Sequence, residues 1–133
     1  MNYFLDTILL VDDNEIDNML NTRLIQSCSF ARHVESRLSA DDALELLYNE
    51  FKIKKKVPEL ILLDILMPMT DGFDFLESFD TFHENLKNST KIVMLTSSFL
   101  QSDIDRANEN KLVKLLLHKP LTKEALENLK KIL

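Results

Sequence analysis

Leu60-Ile61-Leu62-Leu63-Asp64 is the stretch on which the fold turns: four consecutive apolar residues closed by a carboxylate. A strand with one wet face alternates apolar and polar residues, whereas an unbroken run fits a strand covered by helices on both faces. Three other runs share this character: 8–11 (Ile-Leu-Leu-Val), 92–95 (Ile-Val-Met-Leu) and 115–117 (Leu-Leu-Leu). A fifth segment, His33-Val34-Glu35-Ser36-Arg37-Leu38, alternates and carries charge, which predicts an edge strand. Stretches of helical period lie between the strands. Ile16, Met19, Leu20 and Leu24 share one face, and so do Ala43, Leu44, Leu47 and Phe51. Phe75, Leu76, Phe79 and Phe82 form a third stripe, and Leu126, Leu129 and Leu133 another. Ser102 is the expected N-cap of a weaker helix around 103–110, and Thr122 of the last. The alternation of strand and helix predicts an α/β fold, a five-stranded parallel sheet doubly wound with helices on both faces.

The 133 residues, 45% hydrophobic and 29% charged, fit one domain of ordinary size over 1–133. Only one glycine is present, so a Walker loop or a dinucleotide fingerprint cannot be assembled. One cysteine, Cys28, cannot form an internal disulfide and reads as a core thiol. The amino terminus lacks the character of a signal peptide, and no apolar run approaches the roughly 18–20 residues of a membrane span. The expected location is the cytoplasm, without membrane insertion. A net charge of −6 argues against nucleic acid as a partner. Lys52, Lys54, Lys55 and Lys56 form a local basic cluster that reads as a solvated helix end.

In open α/β sheets the site lies outside the carboxyl ends of the strands. Asp12 and Asp13 follow the first run, and Asp64 the second. Thr96, Ser97 and Ser98 follow the third, while His118, Lys119 and Pro120 follow the last. Taken singly, each has an ordinary explanation. Asp12 or Asp13 could cap a helix, Asp64 could open the turn into Met67-Pro68, Thr96 could be a strand residue, and Lys119 could face water. Taken together, at the ends of four separate strands, they point to one site. Three close carboxylates repel unless a cation sits among them. Hard oxygen ligands without His or Cys suit Mg²⁺, and His33, His83 and His118 match no zinc spacing. With Lys119 as a point charge and Thr96 as a hydroxyl donor, the parts suit phosphoryl transfer to a carboxylate. His118 has no identifiable carboxylate partner, and Met67 and Met69 read as loop packing residues.

With these residues assembled, the chain resembles the receiver domain of two-component response regulators, the CheY-like type, from about Asp6 to Leu133. The resemblance rests on Leu9-Leu10-Val11-Asp12-Asp13, on Asp64 within Leu-Leu-Asp-Ile-Leu-Met-Pro-Met-Thr-Asp-Gly, on Thr96, and on Lys119-Pro120. It implies a flavodoxin-like strand order of 2-1-3-4-5 and leaves no segment for an output domain. It implies that Asp64 is the phosphoacceptor, taking phosphate from phosphohistidine on a histidine kinase or a histidine phosphotransfer protein. Asp13 and Asp64 would bind Mg²⁺ directly, Asp12 mostly through water, and the backbone carbonyl of Leu66 would complete the protein ligands. Thr96 and Lys119 would contact the phosphoryl group, Ser97 would be the small residue that admits the donor, and the Lys119–Pro120 peptide would be cis.

Three departures from the family pattern bear on function. Leu116 stands where a switch aromatic is expected, and Leu66 and Ser98 occupy the positions flanking the path of the attacking water. The glycine usual before the fifth strand is also missing from 108–114. The leading expectation is a receiver of a two-component or phosphorelay system, a signalling protein rather than an enzyme acting on a separate substrate, and a monomer or weak dimer that signals to an unidentified downstream protein. The alternative is an interaction module of the same fold without a phosphorylation switch, supported by Leu116. A phosphohydrolase reading would want Asp-x-Asp-x-Thr after the first strand, and Asp12-Asp13-Asn14-Glu15-Ile16 lacks it.

Overall fold

The computed structural model describes residues 2–54, 56–67 and 69–133. In chain order the elements are β1 (Leu5–Val11), α1 (Glu15–Ser27), β2 (Ala31–Arg37), α2 (Ala40–Lys54), β3 (Leu60–Asp64), α3 (Gly72–Phe79), α4 (Glu84–Ser89), β4 (Lys91–Thr96), α5 (Gln101–Glu109), β5 (Val113–His118) and α6 (Lys123–Ile132). Among the described residues the strands form one parallel sheet in the order β2-β1-β3-β4-β5. This is the expected doubly wound, flavodoxin-like architecture.

The three central strands carry the buried runs, and their alternate residues face opposite sides of the sheet. Leu9, Val11, Ile61, Leu63, Ile92 and Met94 join one core, closed by Leu47 of α2, Phe75 and Phe79 of α3, Leu86 of α4 and Ala107 of α5. Ile8, Leu10, Leu60, Leu62, Val93 and Leu95 join the other, against Ile25 of α1, Phe30, and Leu126 and Leu129 of α6. Each fully buried Leu, Ile or Phe contributes about 1.5–3 kcal/mol, so these two layers dominate the stability. β2 is an edge strand as its alternation predicts. β5 is the other edge, and its run 115–117 is half-buried rather than covered throughout. A bulge there pairs Ile92 with Val113 and Val93 with Leu115, leaving Lys114 as the extra residue.

α1 departs from its periodicity. Ile16, Met19 and Leu20 are 63%, 45% and 52% exposed, while the buried residues of the helix are Asn18 and Ile25. Only Leu24 of the predicted stripe packs inward, half-buried against the second core. Asn18 can face inward because its Nδ2 donates to the Asp12 carbonyl at 3.0 Å, and a buried amide needs such a partner. The inward face is therefore Asn18 together with Leu24, Ile25 and Cys28.

Smaller corrections follow the same logic. Ser102 does not cap α5. The N-cap position is Leu100, without a side-chain bond, and Ser98 Oγ works one turn earlier, accepting from Leu100 N at 3.2 Å and donating to Asp103 Oδ2 at 2.8 Å. Phe82 lies beyond the end of α3, half-buried against the first core. The short helix α4 carries no periodic signal; His83 caps it, with Nδ1 accepting from Asn85 N at 3.0 Å. Met67 is buried, but Met69 is fully exposed at φ 69° and packs against nothing in the loop. Cys28 is half-buried at the end of α1. Thr122 caps α6 as expected, its hydroxyl accepting from Ala125 N at 3.1 Å. Lys54 pairs with Glu50, Lys56 with Asp6, and Lys52 lies over the Tyr48 ring, as befits a solvated helix end; Lys55 and Pro68 lie outside the described residues.

Candidate functional site

Parallel register brings the strand ends to one edge of the sheet. Val11 pairs with Leu63, Asp64 with Leu95, and Thr96 with His118. Asp12 and Asp13 therefore leave β1 beside Asp64, and Lys119 leaves β5 beside Thr96. The Lys119 N–H donates to the Thr96 carbonyl at 2.8 Å, extending that ladder by one residue. The Lys119–Pro120 peptide is cis.

The ordinary explanation for Asp12 and Asp13 is removed by Asn14, which is the N-cap of α1. Its Oδ1 accepts from Ile16 N at 2.9 Å and Asp17 N at 3.1 Å. Asp12 Oδ1 accepts from Asn14 N at 2.9 Å. Asp12 and Asp64 are buried, Asp13 is exposed, and carboxylate oxygens of all three lie within 4.8 Å of one another. Asp64 Oδ1 accepts a long bond from Leu66 N at 3.4 Å. Thr96 is fully buried; its Oγ1 accepts from Ser98 N at 2.9 Å, and the hydroxyl keeps a proton to donate. Ser97 is exposed beside it.

Lys119 Nζ stands among the carboxylates, 2.7 Å from Asp12 Oδ2, 3.2 Å from Asp17 Oδ2 and 3.5 Å from Asp64 Oδ2. One ammonium thus faces several anions. Burial disfavours that ammonium, but the hydrogen bond to Asp12, the charges of Asp64 and Asp12, and the bond to Asp17 outweigh it and hold Lys119 above its ordinary range. Burial raises Asp64 from 3.8 to about 6, and the neighbouring Asp12 charge pushes the same way. Lys119 opposes this without cancelling it, because its short contact is to Asp12. The anionic excess and the purely oxygen donor set fit a hard divalent cation at Asp12, Asp13 and Asp64.

All five side chains singled out from the sequence, Asp12, Asp13, Asp64, Thr96 and Lys119, thus stand at adjoining strand ends. Leu66 is exposed just beyond them. Two participants were not legible. Asp17 reaches Lys119 from a helix, and Asn18 ties that helix to Asp12. Asn18 Oδ1 is buried with no hydrogen-bond partner among the described residues. His118 stacks on Phe99, with ring centroids 4.7 Å apart, and meets no carboxylate.

This sheet order and this constellation of strand ends define a receiver. The model of the response regulator receiver domain matches residues 8–131, and the chain belongs to that family, whose members are signalling modules of two-component systems. It is 32% identical over 120 residues to the probable methanogenesis regulatory protein FilR2 of Methanothrix harundinacea (strain 6Ac), spanning 90% of this chain and 76% of that one. Among solved structures it is similar to a two-component response regulator from Cytophaga hutchinsonii, with TM-score 0.87 and 32% identity over 96% of this chain and 95% of that one. It is also similar to a response regulator receiver protein from Dyadobacter fermentans, with TM-score 0.82 and 28% identity over 94% of each chain. Among the described residues no helix is long and apolar enough to cross a membrane.

Proposed function

We propose that the protein accepts a phosphoryl group on Asp64 within a two-component or phosphorelay system and signals by changing its protein contacts. The observation that carries this reading is the Lys119 ammonium set among Asp12, Asp17 and Asp64 beside the buried Thr96 hydroxyl. In the forward step an Asp64 carboxylate oxygen attacks the phosphorus of a phosphohistidine on a histidine kinase or phosphotransfer protein. The O–P bond forms as the N–P bond breaks, and the departing imidazole takes up a proton. Lys119 donates to one phosphoryl oxygen and Thr96 to another. Asp13, Asp64 and the Leu66 carbonyl would hold Mg²⁺, with Asp12 acting mostly through water. A cation there supplies charge neutralisation for the phosphoryl oxygens. The protein works in the cytoplasm in this reading, as a monomer or weak dimer without nucleic acid. Intact mass after incubation with acetyl phosphate and Mg²⁺ tests it: a gain of one phosphoryl group is expected, and no gain defeats it.

Lys119→Ala separates the roles. The lysine lies 2.7 Å from Asp12 Oδ2 but, in this reading, turns to the phosphoryl group when one arrives. Mg²⁺ affinity in the variant should remain near wild type, while the spectral response to beryllofluoride falls. A titration in which Mg²⁺ binding collapses would contradict this division.

Leu116 sets the reach of the response. It is half-buried against the first core, where the family pattern expects an aromatic ring that swings inward. A flexible aliphatic chain gains little from either position, and a ligand shifts an equilibrium only by its differential affinity for two states. NMR shifts on adding beryllofluoride and Mg²⁺ should therefore concentrate at 12–14, 64–71 and 96–99. Comparable shifts across 114–117 and 123–133 would overturn this and make β5 and α6 part of the signalling face.

A further inference from the structure

Asp17 has no assigned part in phosphoryl acceptance, yet it makes the second-shortest ionic contact of the site lysine. Its Oδ2 lies 3.2 Å from Lys119 Nζ, across 102 residues of sequence. The ordinary explanation for an acidic residue here is helix capping, since Asp17 is the third residue of α1 after the cap Asn14. A carboxylate at that position reaches back to the main-chain N–H of the cap residue. α3 shows the pattern: Asp74, third after Asp71, accepts from Asp71 N at 3.1 Å. In α1 the equivalent N–H, that of Asn14, is already taken by Asp12 Oδ1 at 2.9 Å. Asp17 is thereby released from capping and turns across to the lysine. Asn18, next in sequence, fixes its direction by bonding the Asp12 carbonyl. Asp17 is half-exposed, whereas Asp12 and Asp64 are buried, so this is the contact of Lys119 nearest to water.

We propose that Asp17 is a positioning residue that shares the Lys119 ammonium with Asp64. It holds the lysine on the α1 side at rest and yields that N–H when a phosphoryl oxygen arrives. The inference rests on the phosphoreceiver reading. Lysine offers three N–H donors, and Asp12, Asp17 and Asp64 stand at 2.7, 3.2 and 3.5 Å. A phosphoryl oxygen must displace one of them. Asp12 is buried with the shortest contact, and Asp64 carries the phosphoryl group itself, so the half-exposed Asp17 is the partner most cheaply returned to water. Its presence therefore opposes the phosphorylated state.

Beryllofluoride with Mg²⁺, titrated against the whole chain, tests this. Asp17→Asn should bind about three- to fivefold more tightly than wild type, the effect expected of one partly exposed charge pair. Asp17→Glu restores the charge on a longer arm and should return affinity toward wild type. Glu15→Gln removes the same charge from the same helical turn without a contact to Lys119 and should bind as wild type does. The Lys119 side-chain NMR signals should move in Asp17→Asn before any ligand is added, and stay in place in Glu15→Gln. Unchanged or weaker binding by Asp17→Asn, or equal tightening by Glu15→Gln, overturns the role of Asp17 while leaving the receiver reading intact. Failure of the wild type to bind beryllofluoride at all overturns both.

Discussion

Asp64→Asn is expected to abolish labelling by acetyl phosphate and, in the metal-free protein at neutral pH, to raise thermal stability. On the proposed reading, the first effect follows from removing the nucleophilic oxygen, which no neighbouring carboxylate can replace in the same position. Asp12 is engaged by Asn14 and Lys119, and Asp13 is exposed. The second follows from electrostatics. Asp64 titrates near 6 in the folded protein against an ordinary 3.8, so folding favours its protonated form. The stability this confers is full below about 3.8 and is lost as pH rises through 6. It amounts at most to about 3 kcal/mol. The neutral amide keeps it at every pH. Melting curves at pH 5 and pH 7.5 should differ in the wild type and converge in the variant. A variant that labels as well as wild type would remove Asp64 as acceptor, and one that melts lower at pH 7.5 would remove the buried-charge argument.

Gly72→Ala is expected to damage fold and site together. Gly72 opens α3, and its N–H donates to the Ile65 carbonyl at 2.9 Å. A Cβ there would lie 2.6 Å from the Asp64 main-chain oxygen, 2.9 Å from Met94 Cε and 3.0 Å from Ile65 Cα. Two of these atoms are backbone and cannot rotate away. Overpacking of this kind costs about 1–3 kcal/mol, and relief must come from moving β3's end or α3. Either motion displaces Asp64 from Lys119. Urea denaturation should show the loss, and labelling should slow even under conditions where the variant is fully folded. Wild-type stability with a wild-type labelling rate would mean that the contact yields freely.

Residues 8–11, 60–63 and 92–95 were readable as central strands because burial on both faces leaves no room for alternation. The site was readable because a parallel sheet delivers every strand end to one edge, so chemistry at four ends meets without further information. α1 departs from its periodicity for a definite reason. Period shows which side chains share a face, but not which face turns inward. Here Ile25, Leu24 and Cys28 turn inward, and Asn18 joins their face because the Asp12 carbonyl satisfies its amide. Ser102 is no cap because the helix already begins at Gln101, which places Ser102 inside its first turn. Asp17 escaped notice because its partner is remote in sequence and its position looks like an ordinary helix start.

The orientation of α1 has a bearing on how readily the chain is cut by a protease. Helices in proteins owe most of their stability to packed apolar faces, and this one keeps Ile16, Met19 and Leu20 in water while Ile25 and half-buried Leu24 anchor it. It is therefore expected to open locally before the sheet does. Arg23, exposed within it, presents a cleavable bond to a trypsin-like protease during each such opening. A molecule bound over the Ile16–Leu20 side should slow tryptic cleavage at Arg23, and a cleavage rate unchanged by such binding would contradict this.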